Sequence, residues 1–446
     1  MSQPLNILYL HTHDHGRYIQ PYGYSVPTPR LMQFAREGAM FRNAFCANPT
    51  CSPSRACLLT GQHAHTNGMY GLAHRGFKLF DYSHHLVRFL KSHGYYCVLN
   101  NSGAQHVAHK EDQDVIGYDE VLDVNFPSKK DTAAMVREWL DRRPQDKPFF
   151  LSVGYGDTHR DFKEPACDSD WTDPRYVLPP APLPDTPETR FDMAAFNTHA
   201  REQDAKMAEV LDAIEKAGLA KNTIVIATTD HGIAFPRMKC NLEDSGIAIY
   251  LMLRGPGIPE GKVIDSLISH VDIFPTLCDL LGFDHPDWLQ GTSLLPLMRD
   301  EKEAVRDEIF AEVNYHAAEE PMRCVRTKRW KYIRRYYDMK TPVLPNCDSS
   351  PSKDLWLEHG WAERELPREV LYDLVFDPNE TNNLADDPDH ATVLLDMRKR
   401  LQKWMEETDD PILKEKHPPA PKGATLTYMD ARQNSGPTYR VGETKS

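Results

Sequence analysis

The stretch Leu5-Asn-Ile-Leu-Tyr-Leu-His-Thr-His-Asp-His15 places a short apolar run directly before a polar cluster. Its apolar half, Leu5–Leu10, has the length and composition of a buried strand. Four later runs have the same form and are also bounded by turn signals; they are Tyr95–Leu99, Pro148–Val153, Thr223–Ala227 and Ile247–Leu253. We interpret these five runs as strands of one sheet.

Helical patterns lie between the strand-like runs. One covers Thr132–Arg143, and a second has its apolar face at Met207, Val210, Leu211 and Ile214. Strands that alternate with helices indicate an α/β domain with a large, mostly parallel central sheet flanked by helices. Ligands of such sheets gather beyond the carboxyl ends of the strands. We therefore expect three polar clusters to converge there, namely His13-Asp14, Asp157-Thr-His159 and Asp230-His231.

The pattern changes from about residue 306. Strand-like segments with few helices between them are followed by a helix; they are Glu308–Val313, Cys324–Tyr337, Val370–Val375 and the helix His390–Glu407. The last residues are rich in Pro, Lys, Gly and Thr, which is typical of a tail. The sequence thus predicts a large domain over 1–305, a smaller C-terminal α+β subdomain over 306–410 and an extended tail over 411–446.

Composition limits the classes of partner. A net charge of −13 without a basic stripe argues against nucleic acid, although a locally basic pocket could still bind a small anion. No run is apolar enough to cross a bilayer, so no membrane contact is expected. The nine cysteines lack C-x-x-C spacing, which argues against a disulfide framework or a thiolate zinc site. The N-terminus lacks secretory-signal features, which leaves a cytoplasmic chain and an already processed chain as alternatives.

The segment Cys51-Ser-Pro-Ser-Arg55, followed by Leu58-Leu-Thr-Gly61, resembles the sulfatase signature. Further blocks resemble the sulfamidase, or N-sulfoglucosamine sulfohydrolase, branch of that family; they are Arg42-Asn-Ala-Phe45, Asn67-Gly-Met-Tyr-Gly-Leu72, Pro321-Met-Arg323 and Glu369–Asn383. The similarity runs from residue 5 to about 410, and it implies an alkaline-phosphatase-like sandwich. The alternative for Cys51 alone is a buried cysteine beside a proline turn.

The resemblance implies a chemical role for Cys51. In sulfatases a formylglycine-generating maturation enzyme oxidises this cysteine, and the hydrated aldehyde attacks sulfur. A second hydroxyl on the same carbon then expels sulfate, which a simple serine could not do. The resemblance also implies that Arg55 stabilises negative charge on the nucleophile and on sulfate.

A metal site is implied as well. The family carries an Asp-Asp pair after the first strand and an Asp-Asn or Asp-Gln pair after a later one. Aligned with the family pattern, these pairs fall on His13-Asp14 and Asp230-His231, with Cys51 beside them. In each pair a histidine stands where the family has an oxygen ligand. The family metal is Ca²⁺, whereas imidazole ligands favour Mn²⁺ or another transition metal. The alternatives are a supporting histidine at 13 and helix-cap or turn aspartates at 14 and 230.

The remaining site residues also follow from the resemblance. His106 matches a histidine near the sulfate, but the lysine usually found two residues earlier is Ala104. His159 matches the general acid that protonates the leaving group, and Lys239 matches a sulfate-binding cation. Predicted substrate contacts are His65, Asp157, Arg160, His316 and Arg323. A structural ion pair is an equal alternative for Arg323.

The favoured function is hydrolysis of a sulfated sugar, with glucosamine N-sulfate preferred over an O-sulfate. One alternative is an O-sulfate-specific carbohydrate or aryl sulfatase. Another is a phosphonate or phosphate diester hydrolase, which shares the fold and nucleophile and which the Asp230-His231 pair favours. A third is a binding protein that has lost maturation, which the joint presence of Cys51, Pro53 and Arg55 argues against. The family commonly forms dimers, so a homodimer is a further expectation.

Overall fold

The computed structural model describes residues 4–100, 107–108, 114–123, 131–162 and 171–443. The central sheet contains β1 (Asn6–Thr12), β2 (Ala39–Phe45), β3 (Tyr96–Asn100), β4 (Glu120–Asp123), β5 (Phe149–Tyr155), β6 (Thr223–Thr229), β7 (Ala248–Ile249), β8 (Leu251–Arg254) and β9 (Lys262–Ser269). Its order is β4-β3-β5-β1-β6-β8-β2-β7, and β9 pairs with β2. The pairings of β1 with β5 and β6 are parallel, whereas β8 pairs antiparallel with β6 and β2.

The helices of the described chain are α1 (Pro29–Arg36), α2 (Cys51–Thr60), α3 (Ala64–Asn67), α4 (Leu86–Ser92), α5 (Thr132–Arg142), α6 (Pro187–Lys216), α7 (Asp244–Ile247), α8 (Ile273–Leu281), α9 (Leu295–Met298), α10 (Pro351–Glu358) and α11 (Ala391–Glu407). None of the helices in the described ranges is both long and apolar enough to span a bilayer.

Strand β1 shows why the sheet is covered on both faces. Ile7 and Tyr9 join one buried apolar cluster, while the alternate residues Leu8 and Leu10 join another. Successive side chains of a strand point to opposite faces, so a strand that is apolar throughout needs a cover on each side. Helices α1, α5 and α6 supply one cover, and α2, α4 and α8 contribute to the other. The predicted α/β sandwich with a mostly parallel sheet is confirmed.

A second sheet follows, with β10 (Glu308–Tyr315), β11 (Glu319–Thr327), β12 (Trp330–Arg335) and β13 (Glu369–Asp373) in antiparallel order. One face joins the core of the first sheet, and α11 covers the other face with Leu394, Met397, Leu401 and Trp404. A small C-terminal α+β subdomain was predicted, and the fold contains it. Three strand predictions were too long, since Val370–Val375 also runs two residues past the end of β13 at Asp373. Cys324–Tyr337 contains the turn between β11 and β12, and Ile247–Leu253 is interrupted at Tyr250, whose N–H donates to the carbonyl of Gly16.

The tail is tied to the body of the protein. It forms a hairpin of β14 (Thr425–Thr427) and β15 (Thr438–Arg440), and Leu426 is buried. The Tyr315 hydroxyl donates to the carbonyl of Pro418 at 2.6 Å, and Arg75 donates to the carbonyl of Thr425 at 3.3 Å. The tail therefore packs back onto the first part of the chain. The domain limits themselves stay a prediction.

Candidate active site

Helix α2 begins at Cys51 and is buried along its whole length. Thr50 precedes it in an extended conformation, and the helix ends at Gly61, whose φ of 67° is one that glycine adopts readily. The Ser54 hydroxyl donates to the carbonyl of Asp230 at 2.5 Å, which ties the first turn of α2 to the end of β6. Cys51 is thereby held at a helix N-terminus, where the partial positive charge favours anions.

Four buried side chains form a candidate cation site at the carboxyl ends of β1 and β6. Ligand atoms of His13, Asp14, Cys51 and Asp230 all lie within 4.8 Å of one another. Atoms that are each roughly 2.3–2.6 Å from a shared Ca²⁺ ion can be separated by up to about 5 Å, so this spacing fits one ion. The carboxylates suit Ca²⁺, whereas the histidine also suits Mn²⁺. The residues present therefore fit a single divalent cation.

Backbone geometry at Asp14 supports a functional role for this corner. Its φ is 48°, in the left-handed region that non-glycine residues rarely occupy, and such strain is concentrated at functional sites. The Asp14 N–H donates to Oδ1 of Asp230 at 2.9 Å, so one carboxylate fixes the backbone that presents the other. The two loops that follow β1 and β6 thus meet, as their parallel pairing requires.

His231 borders the four-residue group. Its Nε2 lies 3.4 Å from Oδ1 of Asp14 and 3.5 Å from Sγ of Cys51. Its Nδ1 lies 2.9 Å from the carbonyl of Gly232 and donates to it, because a carbonyl oxygen only accepts. This contact orients the ring so that Nε2 faces the site.

Two cations flank the carboxylates. Nη2 of Arg55 donates to Oδ2 of Asp230 at 2.6 Å, and Nζ of Lys239 lies 2.9 Å from Oδ2 of Asp14. Both cations are buried. Nε and Nη1 of Arg55 find no acceptor among the described residues, so two buried donors remain for an anion. Burial opposes the charge of Lys239, but the carboxylates of Asp14 and Asp348 outweigh it and raise the pKa of Lys239 well above its usual value.

The surroundings of Cys51 also determine the pKa of its unmodified thiol. Burial raises the pKa of its thiol to about 12, and the opposing charge of Lys239 does not offset this. A neutral thiol is a weak nucleophile compared with its thiolate. For Asp14, burial is the largest single influence and favours the protonated form, but the charge and hydrogen bond of Lys239, together with the neighbouring histidines, outweigh it and hold the pKa of the carboxyl well below its usual value.

The loop after β5 brings His159 to the same edge. Its ring centre lies 5.8 Å from that of His13, and its Nδ1 donates to the carbonyl of Arg160. The two neighbours that were predicted to bind substrate contact α6 instead. Arg160 forms a two-pronged ion pair with Asp192 at 2.7 and 2.8 Å, and Asp157 pairs with Lys206. Their contacts are those of structural ion pairs, and a substrate role for either stays a prediction.

His65 and Arg323 lie in a second buried network. Nδ1 of His65 is 2.8 Å from Oε1 of Glu312, and Nη2 of Arg323 is 2.9 Å from Oδ1 of Asp410. Arg323 also lies 3.6 Å from Glu312, so the network joins α3, β10, β11 and the turn that follows α11. These contacts match the structural alternative for Arg323. Its predicted contact with substrate, and that of His65, remain untested.

His316 and Asp348 bring the C-terminal subdomain to the site. Burial and then the charge of Lys239 lower the pKa of His316 well below its usual value, so it is neutral. Oδ2 of Asp348 lies 3.0 Å from Nζ of Lys239. Asp348 was not predicted as a site residue, because no motif or strand-end position in the sequence singles it out. His106 and Ala104 lie outside the described residues, so the role of His106 stays a prediction.

The chain is similar to known proteins over most of its length. Residues 6–283 match the Sulfatase family, and residues 237–355 match the family described as N-sulphoglucosamine sulphohydrolase, C-terminal. The chain is 32% identical to human N-sulphoglucosamine sulphohydrolase, over 92% of this chain and 91% of that protein. It is 28% identical to an ulvan-active sulfatase of Formosa agariphila, over 91% of this chain and 75% of that protein.

A solved phosphonate monoester hydrolase from Silicibacter pomeroyi has the same fold, with a TM-score of 0.70 and 19% identity over 92% of this chain and 97% of that one. The chain belongs to the sulfatase family. It is a hydrolase of sulfuric esters or sulfamates, similar to the sulfamidase branch, and its substrate is therefore anionic. That family typically uses a metal ion and formylglycine.

Proposed function

We propose that this enzyme removes sulfate from a sulfated sugar, and that glucosamine N-sulfate is the favoured substrate. The observation that carries this proposal is the similarity to human N-sulphoglucosamine sulphohydrolase over 92% of the chain, together with the match of residues 237–355 to the C-terminal family of that name. The region of the C-terminal match also contains Asp348, whose Oδ2 lies 3.0 Å from Nζ of Lys239 beside the cation site.

The proposed cofactors are a formylglycine made from Cys51 by a maturation enzyme and one divalent cation. His13, Asp14, Asp230 and residue 51 would hold the cation, with His231 at their edge. Ca²⁺ follows the family, and Mn²⁺ is the alternative that the two histidines favour. When bound, the hydrated aldehyde and the cation supply a nucleophile and a Lewis acid at sulfur.

The protein side chains would perform the remaining work. The two buried donors of Arg55 and the ammonium of Lys239 would bind the sulfate oxygens and stabilise the charge that develops on them. His159 carries a proton on Nδ1 and would use Nε2 to hand a proton to the leaving amine or hydroxyl. His106 keeps its predicted role near the sulfate.

The test compares sulfate release from glucosamine N-sulfate and glucosamine 6-O-sulfate, using protein produced with a formylglycine-generating enzyme. We expect release from the N-sulfate, loss of activity in Cys51→Ala and a peptide mass at residue 51 that corresponds to formylglycine. Cys57→Ala is the matched control, because Cys57 is a buried cysteine on the same helix. Release from the 6-O-sulfate alone would overturn the sulfamidase assignment while keeping the sulfatase chemistry.

A phosphonate or phosphate diester is the second candidate substrate. The adjacent Asp230 and His231 favour it, because both side chains face the cation site. An aryl phosphonate ester should therefore be included in the same panel. Turnover of that ester above both sugar sulfates would establish this candidate, whereas slower turnover would leave it a side activity of the shared nucleophile.

A further inference from the structure

Lys239 lies between two carboxylates that come from different parts of the chain. Its Nζ is 2.9 Å from Oδ2 of Asp14, which follows β1, and 3.0 Å from Oδ2 of Asp348, which precedes α10. All three side chains are buried, with Asp348 the most accessible at 9% exposure. Low solvent access strengthens both ion pairs, so the position of the ammonium is set by how the two carboxylates share it.

The segment that carries Asp348 is rigidly held. The amide of Asn346 accepts from the N–H of Ala318 at 2.8 Å and donates to Glu320 at 2.8 Å. The buried ammonium of Lys353 donates to the carbonyls of Leu344 and Cys347 at 2.9 and 2.7 Å. Asp348 is therefore presented by a fixed backbone, as a positioning group must be.

We infer that Asp348 is a positioning residue that shares the ammonium of Lys239 with Asp14 and so lets Asp14 bind a divalent cation while Lys239 stays in the site. The inference rests on the proposed cation site. A cation bound at Asp14 and the ammonium of Lys239 repel each other and compete for the same carboxylate. Asp348 gives Lys239 a second partner at nearly the same distance, so the ammonium can stay in the site when Asp14 binds metal.

The test is a double-mutant cycle read by calorimetric titration of the metal-depleted protein with Ca²⁺, and then with Mn²⁺. We expect Asp348→Asn to weaken cation binding by about tenfold or more in the parent, and by less than about threefold in a Lys239→Met background. Asp348→Glu should restore most of the affinity because it returns the carboxylate. Asp354→Asn, an exposed aspartate on α10, is the matched control and should bind like the parent.

Equal losses in both backgrounds would overturn the inference, because they would reflect only the long-range charge of Asp348. Unchanged binding in Asp348→Asn would overturn it as well. If Lys239→Met does not fold, the inference is tested by Asp348→Glu instead. Failure of this variant to restore cation binding would then overturn the inference. The titration does not depend on turnover. Absence of sulfate release by the parent would therefore refute the proposed function, and the cation affinities of the double-mutant cycle could still be interpreted.

Discussion

Among single residues, Glu320 shows how burial raises the pKa of a carboxyl group outside the cation site. It is 7% exposed and lines a cavity of about 190 Å³ between the second sheet and the loop that follows β6, together with Arg335 and Glu243. Asn346 and Tyr337 donate to its two oxygens at 2.8 and 3.3 Å. Burial raises the pKa of Glu320 to about 7, because these donors and the charge of Arg335 do not offset the loss of water.

Replacing Glu320 with Gln should therefore change stability in a pH-dependent way. The ordinary pKa of a glutamate is 4.5, and that of Glu320 in the native protein is about 7. Between these two pH values Glu320 keeps its proton in the native state and loses it in the unfolded state. The free energy of unfolding of the parent protein therefore falls as pH rises through this range. Glu320→Gln should be neutral near pH 4.5 and more stable than the parent by about 2–3 kcal/mol at pH 8. Urea unfolding at both pH values measures this. The exposed Glu303→Gln is the control, and a parent-like slope in Glu320→Gln would contradict the assignment.

Prediction from sequence was uneven at this scale. Asp14, Cys51 and Asp230 could be placed together because each lies in a motif or directly after a strand, and parallel strands bring such positions to one edge. Asp348 could not be placed, because its position depends on a loop of the second sheet that reaches back 109 residues to Lys239. Arg160 was assigned to substrate by its register alone, and a sequence does not show that Asp192 lies opposite it.

At the element scale, the loop after β5 is fastened to α6 by Arg160. The guanidinium donates to both oxygens of Asp192, to the carbonyl of Ala234 at 2.7 Å, and lies over the rings of Phe162 and Phe235. Ser352 of α10 also donates to Asp192 at 2.6 Å. Because the carbonyl of Arg160 accepts from His159, this connection fixes the candidate general acid.

Arg160→Leu should consequently impair stability and turnover together. It leaves the buried carboxylate of Asp192 unpaired, which costs about 3–5 kcal/mol, and the displaced His159 should lower kcat by about tenfold to a hundredfold with little change in KM. Denaturant unfolding and steady-state kinetics measure the two effects. The double variant Arg160→Leu with Asp192→Leu should recover part of the stability. Arg175→Leu, from an exposed pair with Asp173, is the control. A raised KM with unchanged stability would instead indicate that Arg160 contacts the substrate.

At the scale of the whole molecule, the two sheets share one apolar core. Ile309, Val313, Met322 and Ile333 of the second sheet belong to the same buried cluster as Ile7 and Phe41 of the first. The antiparallel second sheet begins at Glu308, close to the change in sequence pattern near residue 306. A pattern along the chain cannot show whether two such parts bury apolar surface against each other, so it could not show this shared core.

A substitution at Asp244 on α7 would test whether the central sheet and the second sheet unfold in one transition. Its oxygens accept from Arg326 at 2.9 and 3.0 Å and from Lys331 at 2.6 Å, and both cations belong to the second sheet. Asp244→Asn should lower the free energy of unfolding by about 3–5 kcal/mol, because it removes the buried carboxylate that Arg326 and Lys331 share, while Lys331 keeps its ion pair with Glu380 at 2.8 Å. Asp396→Asn, from an exposed pair on α11, should cost less than about 1 kcal/mol. Calorimetry should show one transition in both variants, with equal calorimetric and van't Hoff enthalpies, because a shared core cannot be lost from one sheet alone. Two separate transitions in Asp244→Asn would mean that residues 306–410 are an independent domain held in place by these ion pairs.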